Sequence, residues 1–162
     1  MRVIDGETLA TLVAEAKQRP RRRLNLNLHA DHAEPVQRML NAIEPDSYIR
    51  PHRHPGQFEL FVLVEGACIL VTFGDDGRVE QRVDMGPGGP WLLEIPAGTW
   101  HALATLDSGS VVLEVKPGPF LPTAPEDFAA WAPSEGTPEA ALLRDWLAAR
   151  PEPGTRWIAP GV

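Results

Sequence analysis

Apolar residues recur at helical spacing near both ends of the chain. Over residues 5–18 they return every third or fourth position, which predicts an amphipathic helix capped by Asp5. A second apolar stripe begins at Thr137-Pro138 and ends at Arg150-Pro151, and it predicts another helix. Both stripes favour packing against the rest of the protein or against a second subunit. Residues 151–162 are expected to form a loosely held tail.

The spacing changes to period two after the first helix. Over residues 24–29, leucines occupy one face, while Asn25, Asn27 and His29 occupy the other, which predicts a half-buried strand. Residues 35–43 have apolar residues at helical spacing, with Pro35 at a plausible first position of a helix.

From residue 48 onward, short β-rich runs alternate with turn sequences rich in glycine, proline and aspartate. Regular short strands separated by such turns are typical of a β-sandwich or barrel, so the predicted fold class is all-β with a helix near each end. The candidate strands are residues 60–64, 67–73, 79–83, 91–95, 101–106 and 110–116.

The composition is that of one globular domain. The 162 residues, 43% of them hydrophobic and 23% charged, can bury one substantial core. No apolar run approaches the roughly 20 residues that span a bilayer, and the amino terminus lacks a signal-peptide core, so a cytoplasmic location is expected. The single cysteine, Cys68, excludes an internal disulfide and is expected to be a small buried hydrophobe.

The net charge of −7 argues against nucleic acid as the main partner. The basic run over residues 19–23 is the local exception. Its favoured interpretation is a solvated linker before the first strand rather than a nucleic-acid arm, because no aromatic residues interleave with its arginines. An anion site for a phosphorylated or acidic ligand is a third interpretation.

The strongest candidate chemistry lies at four residues. His52 and His54, at i and i+2 in an extended segment, project from the same face, and a following turn can direct Glu59 toward the same point. A second turn, which contains Gly98, delivers His101 to the start of another strand. Imidazoles and a carboxylate that converge on one point suit a divalent metal.

The spacing of these residues resembles the two cupin motifs. The first is His-x-His, four residues, Glu59, six residues and Gly66; the second is Pro96-x-Gly98-x-x-His101. Over about residues 23–136 the chain resembles, more narrowly, the WbuC-type cupin-fold metalloproteins, a family named after polysaccharide gene clusters. The segments that carry this narrower resemblance are Asn27-Leu28-His29, Pro35-Val36-Gln37-Arg38, Tyr48-Ile49-Arg50-Pro51 and Glu114-Val115-Lys116-Pro117-Gly118-Pro119.

The resemblance implies a cupin double-stranded β-helix, or jelly-roll barrel, over residues 23–120. Residues 1–22 would form a helix and linker before it, and residues 121–162 a C-terminal extension with one helix. In such a fold, residues 35–43 form a strand.

The resemblance also implies that His52, His54, Glu59 and His101 hold one divalent ion: Fe, Mn, Ni or Zn. Three neutral imidazoles and one carboxylate leave such an ion with a net charge of about +1 and, in octahedral geometry, two open positions. Asp46, Pro90 and Thr105 depart from the usual motif ends. Those positions shape turns and strand ends, so the ligand set is unchanged.

Five further residues are candidates for a role at the site. Asn27, His29 and Arg50 are candidates for substrate binding, and for His29 a hydrogen-bonded or solvent-facing position is an equal alternative. His29, Glu114 and Lys116 are the catalytic candidates. Since Glu114 and Lys116 share one strand face, an exposed ion pair is favoured over a buried pair that lines the barrel.

The function hypothesis is a metal-dependent enzyme that acts on a small carbohydrate or sugar derivative in surface polysaccharide metabolism, as an isomerase, epimerase or lyase. The alternatives are an Fe(II)-dependent dioxygenase of a small molecule and a non-catalytic module that binds metal and ligand. The sequence leaves open whether turnover occurs at all. The expected partners are a small-molecule ligand and a second copy of the chain, without nucleic acid or membrane.

Overall fold

The structure is a computed structural model that describes residues 1–159. Over that range, eight strands form two antiparallel sheets, and α1 (Gly6–Ala16) and α2 (Pro138–Ala148) flank them. The strands are β1 (Arg23–Asn27), β2 (Val36–Ile43), β3 (Glu59–Glu65), β4 (Cys68–Phe73), β5 (Val79–Met85), β6 (Leu92–Ile95), β7 (Trp100–Thr105) and β8 (Ser110–Pro117).

One sheet has the strand order β1-β2-β8-β3-β6, and the other has the order β5-β4-β7. The predicted all-β fold with helices near both ends is therefore confirmed. The assignment of residues 35–43 to a strand is also confirmed, since β2 lies between β1 and β8.

Helix α1 covers one face of the larger sheet. Its N-cap is Asp5, whose carboxylate accepts a hydrogen bond from the Thr8 backbone N–H at 2.9 Å. The buried side of the helix presents Leu9, Leu12 and Ala16 to the sheet. Their apolar partners on the sheet are Leu24, Leu26, Leu28, Leu40, Ala42, Val111 and Leu113.

Because the leucines of β1 pack against α1, the polar residues of β1 lie on the opposite face, which is the inside of the barrel. The register continues this polar face into the next strand, where Asn25 is paired with Asn41 and Asn27 with Met39. The strand predicted from the period-two pattern is thus present, and the polar face of β1 lines a cavity.

Apolar side chains from both sheets fill the remainder of the barrel. Phe61 and Leu63 of β3 meet Leu70 of β4 and Leu103 of β7 in one buried cluster. On the outer face of the smaller sheet, α2 buries Leu143 against β4 and β7. Strand β7, which carries His101, is therefore packed on both faces.

The chain after α2 is held more firmly than the sequence predicts. The Val79 backbone N–H donates to the Thr155 carbonyl at 2.9 Å, and the Gly154 N–H donates to the Val79 carbonyl at 2.8 Å. Trp157 is buried in the cluster beneath α2. The prediction of a loosely held tail is wrong over residues 151–159, and residues 160–162 lie outside the described part of the chain.

The apolar stripes of both helices are used within one chain, since α1 packs on the larger sheet and α2 on the smaller one. These stripes therefore no longer argue for a second subunit, and the homodimer stays a prediction. No helix in the described range is long and apolar enough to cross a membrane.

Two adjacent leucines of α2 provide a direct test of this packing. Leu143→Ala is expected to lower the free energy of unfolding by about 2–5 kcal/mol, because its side chain is fully buried. The matched change Leu142→Ala, at a position that is 45% exposed, should cost less than about 0.5 kcal/mol. Urea unfolding of both variants measures the difference, and equal losses would contradict the helix orientation.

Candidate metal centre

Backbone hydrogen bonds place the histidines next to one another. The segment that carries His52 runs antiparallel to β7: the His52 N–H donates to the His101 carbonyl at 3.0 Å, and the His101 N–H donates to the His52 carbonyl at 2.9 Å. The ring centroids of these two residues are 4.5 Å apart. Residues far apart in sequence are thereby fixed as neighbours by the backbone.

The second turn is attached to the first histidine segment. The Gly98 N–H donates to the His54 carbonyl at 2.8 Å, and Gly98 has a φ of +79°, a conformation that favours glycine. On the other side of the segment, the Arg53 N–H donates to the Asp127 carbonyl at 2.9 Å, and Phe128 is bridged to His52. The histidines therefore lie on an extended segment that is held from both sides.

The four predicted ligands converge. His52, His54, Glu59 and His101 each offer one donor atom, and these four atoms lie within 4.8 Å of one another. Glu59, the first residue of β3, is 2% exposed. Its Oε1 lies 3.2 Å from His54 Nε2, and its Oε2 lies 2.9 Å from His101 Nε2. Donor atoms about 2.1 Å from one ion, and at right angles, have about this spacing.

The hydrogen bonds of the rings fix which nitrogen is free. The Nδ1 atoms of His52 and His101 lie 2.9 Å from the carbonyl oxygens of Arg50 and Thr99, so each Nδ1 carries the proton that it donates. The Nε2 atoms then present lone pairs to the centre, as in histidine metal ligands held by a carbonyl.

Two donor atoms of the cluster are buried without a hydrogen-bond partner among the described residues. They are His54 Nε2 and Glu59 Oε2. Unsatisfied buried polar atoms are costly, and a cation between them would satisfy both. The donor set and its unpaired atoms thus fit a divalent metal ion.

The protonation states also suit a metal. Burial, with the neighbouring His101, lowers the pKa of His52 to about 3, so this imidazole is neutral at physiological pH. Burial alone would raise the pKa of Glu59, but its neighbours, among them the Lys116 ammonium at 3.0 Å, hold it below its usual value. Neutral imidazole and ionised carboxylate are the forms that bind metals.

Next to the cluster is a cavity of about 730 Å³, a size within the usual range of small-molecule sites. All five secondary candidates line it: Asn27, His29, Arg50, Glu114 and Lys116. The sequence analysis did not single out several other lining residues. These are Asn25, Gln37, Met39, Asn41, Phe61, Leu103, Phe120, Thr123, Phe128 and Glu135.

The interpretation of Glu114 and Lys116 as an exposed ion pair is wrong. Both side chains are 12% exposed and point into the barrel. Lys116 Nζ lies 3.0 Å from Glu59 Oε1 and 2.7 Å from Glu114 Oε1, and Asn41 donates to the other Glu114 oxygen at 2.8 Å. The lysine thus joins the candidate metal ligand to a second buried carboxylate.

The interpretation of residues 19–23 as a plain solvated linker is also incomplete. Arg21 donates both of its hydrogen bonds to Glu135, at 2.8 and 2.7 Å, and Arg23 donates to the same carboxylate at 3.1 Å. Arg23 is fixed further by Ser47 Oγ and the Tyr48 carbonyl. This arginine pair fastens the segment before α2 to β1 at the edge of the cavity.

Two further side chains, Trp100 and Cys68, lie outside the candidate site, and the buried position of Cys68 confirms the prediction from the sequence. Trp100 packs away from the candidate metal ligands, where its Nε1 donates to Asp75 at 2.9 Å and Arg53 stacks over its ring at 4.4 Å. Cys68 is fully buried, and burial raises the pKa of its thiol to about 12. A thiol in that environment is not an activated nucleophile.

The two antiparallel sheets, with three histidines and a glutamate that converge inside them, correspond to a cupin-type fold. A family profile described as "Domain of unknown function (DUF6016)" matches residues 4–85. That match covers half of the chain, so the chain belongs to the DUF6016 family. A comparison with curated proteins found no match.

Solved structures share the fold. CapF, solved with the inhibitor 3-isopropenyl-tropolone, is 18% identical with a TM-score of 0.52, and the match covers 60% of this chain but only 29% of CapF. TT1209 from Thermus thermophilus is 20% identical with a TM-score of 0.50, over 72% of this chain and 97% of that one. A cupin superfamily protein from Desulfitobacterium hafniense is 19% identical with a TM-score of 0.44, over 59% and 75%. At these identities the likeness concerns the fold alone.

The buried lysine can be tested by a double-mutant cycle. Lys116→Met is expected to lower the unfolding free energy of metal-free protein by about 3–5 kcal/mol, because it leaves two buried carboxylates without their cation. Adding Glu114→Gln should recover part of this loss, with a coupling of at least about 1 kcal/mol. Lys17→Met, at the chain's only other lysine, is the matched control. Strict additivity in urea unfolding would contradict the contact.

The arginine pair predicts a pH dependence of stability. Burial acts to raise the pKa of Glu135, but hydrogen bonds from Arg21 and Arg23 outweigh it and hold that pKa below its usual value. The stabilisation is therefore present above the unfolded pKa of about 4.3 and is lost as the pH falls through the folded pKa.

Glu135→Gln should accordingly cost up to about 1 kcal/mol at neutral pH and progressively less in acid. Chemical unfolding across a pH series measures this, with Glu65→Gln at an exposed position as the control. If the loss of unfolding free energy in Glu135→Gln grew larger as the pH falls, the ion pairs assigned to Glu135 would be contradicted.

Proposed function

We propose that this protein is a metal-dependent enzyme that acts on a small carbohydrate or sugar derivative in surface polysaccharide metabolism, by an isomerase, epimerase or lyase type of reaction. His52, His54, Glu59 and His101 are the proposed ligands of one divalent ion. The observation that carries this proposal is the convergence of their donor atoms, two of them buried and unpaired, beside a cavity of small-molecule size.

The character of the cavity wall supports a hydroxylated ligand. Amide side chains of Asn25, Asn27, Gln37 and Asn41 line it together with His29, so it presents hydrogen-bond donors and acceptors beside its apolar residues. Amides and imidazoles that surround a small cavity are suited to bind several hydroxyl groups. This wall favours a sugar over an apolar small molecule.

The charge near the cluster supports a ligand with an oxyanion or a polarised carbonyl. Arg50 lines the cavity, its Nη2 donates to the Ala129 carbonyl at 3.1 Å, and its Nε is buried without a hydrogen-bond partner among the described residues. Lys116 is a second buried cation in the same wall. Lys116 is already paired with Glu59 and Glu114, so Arg50 is the cation that stays available to such a ligand.

A bound divalent ion would supply Lewis-acid polarisation of a carbonyl or hydroxyl group. The roles of the protein side chains follow from their positions. Lys116 orients Glu59 through the contact at 3.0 Å, and Arg50 orients His52 through its carbonyl oxygen. Glu114, Lys116 and His29 are the proposed catalytic candidates, since each lines the same cavity as the ligands.

Metal binding can be tested with one ligand and one matched histidine. His101→Ala is expected to reduce bound metal more than about tenfold. Loss of a residue that only supports a metal ligand already costs about 10- to 100-fold in affinity, and His101 is a proposed ligand itself. His32→Ala should keep full stoichiometry, because His32 lines the cavity outside the cluster. Elemental analysis after anaerobic purification without added metal gives the readout. A His101→Ala protein with full metal content would refute the proposed ligand set.

The same preparation separates the proposed reaction from an oxygenase. After Fe(II) reconstitution, the proposal predicts no oxygen uptake that depends on added sugars or small acids. Ligand-dependent uptake would instead establish the dioxygenase alternative. Retention of a sugar ligand without any turnover would establish the binding module.

A further inference from the structure

Three buried polar atoms in the cavity wall, apart from the metal cluster, have no hydrogen-bond partner among the described residues: Arg50 Nε, His29 Nε2 and Gln37 Oε1. The last two belong to the segment that follows β1 and to β2. His29 is 5% exposed and Gln37 is 0% exposed. Native proteins seldom leave such atoms unpaired, so their position in a cavity wall indicates that something from the cavity pairs with them.

His29 lies two residues past the end of β1, and Gln37 lies on β2. The β1–β2 register pairs Asn27 with Met39, and the Leu28 N–H donates to the Arg38 carbonyl at 2.8 Å just beyond the end of β1. Extending that register by two residues from Asn27 places His29 beside Gln37, and the His29 ring is held at the backbone of the adjacent residue, Arg38. Side chains in that relation begin only about 5 Å apart, so both can contact one ligand group.

The rest of each side chain is fixed by the backbone. His29 Nδ1 lies 3.0 Å from the Arg38 N–H and 2.9 Å from the Arg38 carbonyl oxygen. Its Nε2 is therefore a donor if Nδ1 accepts, and an acceptor if Nδ1 donates. Gln37 Nε2 donates to the Glu34 carbonyl at 2.9 Å, which leaves Oε1 as an acceptor toward the cavity.

A hydroxyl group satisfies this pair in either tautomer of His29. When His29 Nε2 carries the proton, the hydroxyl accepts from Nε2 and donates to Gln37 Oε1. When Nε2 is an acceptor, the hydroxyl donates to one of the two atoms, and a neighbouring hydroxyl of the same ligand donates to the other. A carboxylate has no proton to give to Gln37. An ammonium can donate to Gln37, but it cannot accept from His29 when Nε2 carries the proton, so only a hydroxyl group serves both tautomers. A water molecule could occupy the same place, and a ligand hydroxyl that reproduces its hydrogen bonds would displace it.

We propose that His29 and Gln37 form a specificity subsite that binds a hydroxyl group of the substrate, at a distance from the group held at the metal. The substrate class that this implies is a polyhydroxylated molecule whose chain or ring reaches from the cluster to β1 and β2. The assignment rests on the proposed function, because it takes the metal end of the cavity as the other anchor. Sequence analysis had singled out His29 but not Gln37.

Two probes separate the two ends of the cavity. Glycolate and D-gluconate share an α-hydroxycarboxylate that can bind a metal, but only gluconate carries further hydroxyl groups. Calorimetric titration of Co(II)-loaded protein gives both affinities, and the Co(II) absorption spectrum shows whether each probe reaches the metal. Gluconate is expected to bind at least about tenfold more tightly than glycolate, from two or more added hydrogen bonds.

Three variants complete the design. His29→Asn keeps a polar atom near the position of Nδ1 and removes Nε2, while Gln37→Met removes Oε1 at similar size. Each should weaken gluconate roughly threefold to tenfold and leave glycolate unchanged. Gln81→Met is the matched control, since Gln81 is exposed on β5. Thermal unfolding of each loaded variant shows that it is folded.

The outcomes are distinct. If glycolate binds the metal but gluconate binds no more tightly, or if the variants weaken both probes equally, the subsite is refuted and the proposed function stands. If neither probe binds or perturbs the Co(II) spectrum, the proposed function fails and the subsite fails with it. A loss confined to gluconate in both variants, and absent from Gln81→Met, establishes the subsite.

Discussion

An ionised carboxylate at the centre of the barrel is the constraint on which the site depends. Glu59 is 2% exposed, and so complete a burial is tolerated only where positive charge or donors compensate for lost solvation. Lys116 supplies one cation at 3.0 Å, but the Nε2 atoms of His54 and His101, at 3.2 and 2.9 Å from the carboxylate, leave a further cation to be supplied. Since the rings of His52 and His101 direct lone pairs to the same centre, a divalent ion completes the compensation.

The cavity beside this carboxylate exists because the two faces of β1 have different surroundings. Leucines of β1 pack beneath α1, so the asparagines of the same strand have to face the inside of the barrel. The apolar face contributes burial to stability, and the polar face is left for a ligand. A cavity lined by amides and imidazoles thus follows from the placement of one helix. Arg21 and Arg23, which donate hydrogen bonds to Glu135, lie at one edge of this cavity.

The sequence predicted most reliably what depends on local spacing. The i, i+2 histidines and the glycine turn before His101 brought the four candidate ligands to one cluster, and strand alternation gave the two faces of β1. Sequence reasoning failed where burial of a side chain depends on which face of its strand other elements cover. Glu114 and Lys116 share a face in any strand, but only α1 and the sheet order put that face inside.

Contacts between distant segments were equally inaccessible to sequence reasoning. Arg21 and Glu135 are separated by 114 positions, and no local pattern connects them. The anchoring of Trp157 after α2 is of the same kind. Gln37 lies in a segment whose apolar spacing is helical, so its inward direction became visible only once β2 was paired on both sides.

X-ray absorption spectroscopy of the metal-loaded protein tests the central claim most directly, because it reports the ligand atoms themselves. For zinc, the proposed cluster predicts imidazole nitrogens at about 2.0–2.1 Å, with scattering from three rings, and carboxylate oxygen at about 2.0–2.2 Å. Glu59→Gln should alter the oxygen contribution and leave the imidazole signal. A spectrum without imidazole scattering, or with a sulfur ligand from Cys68, would contradict the account.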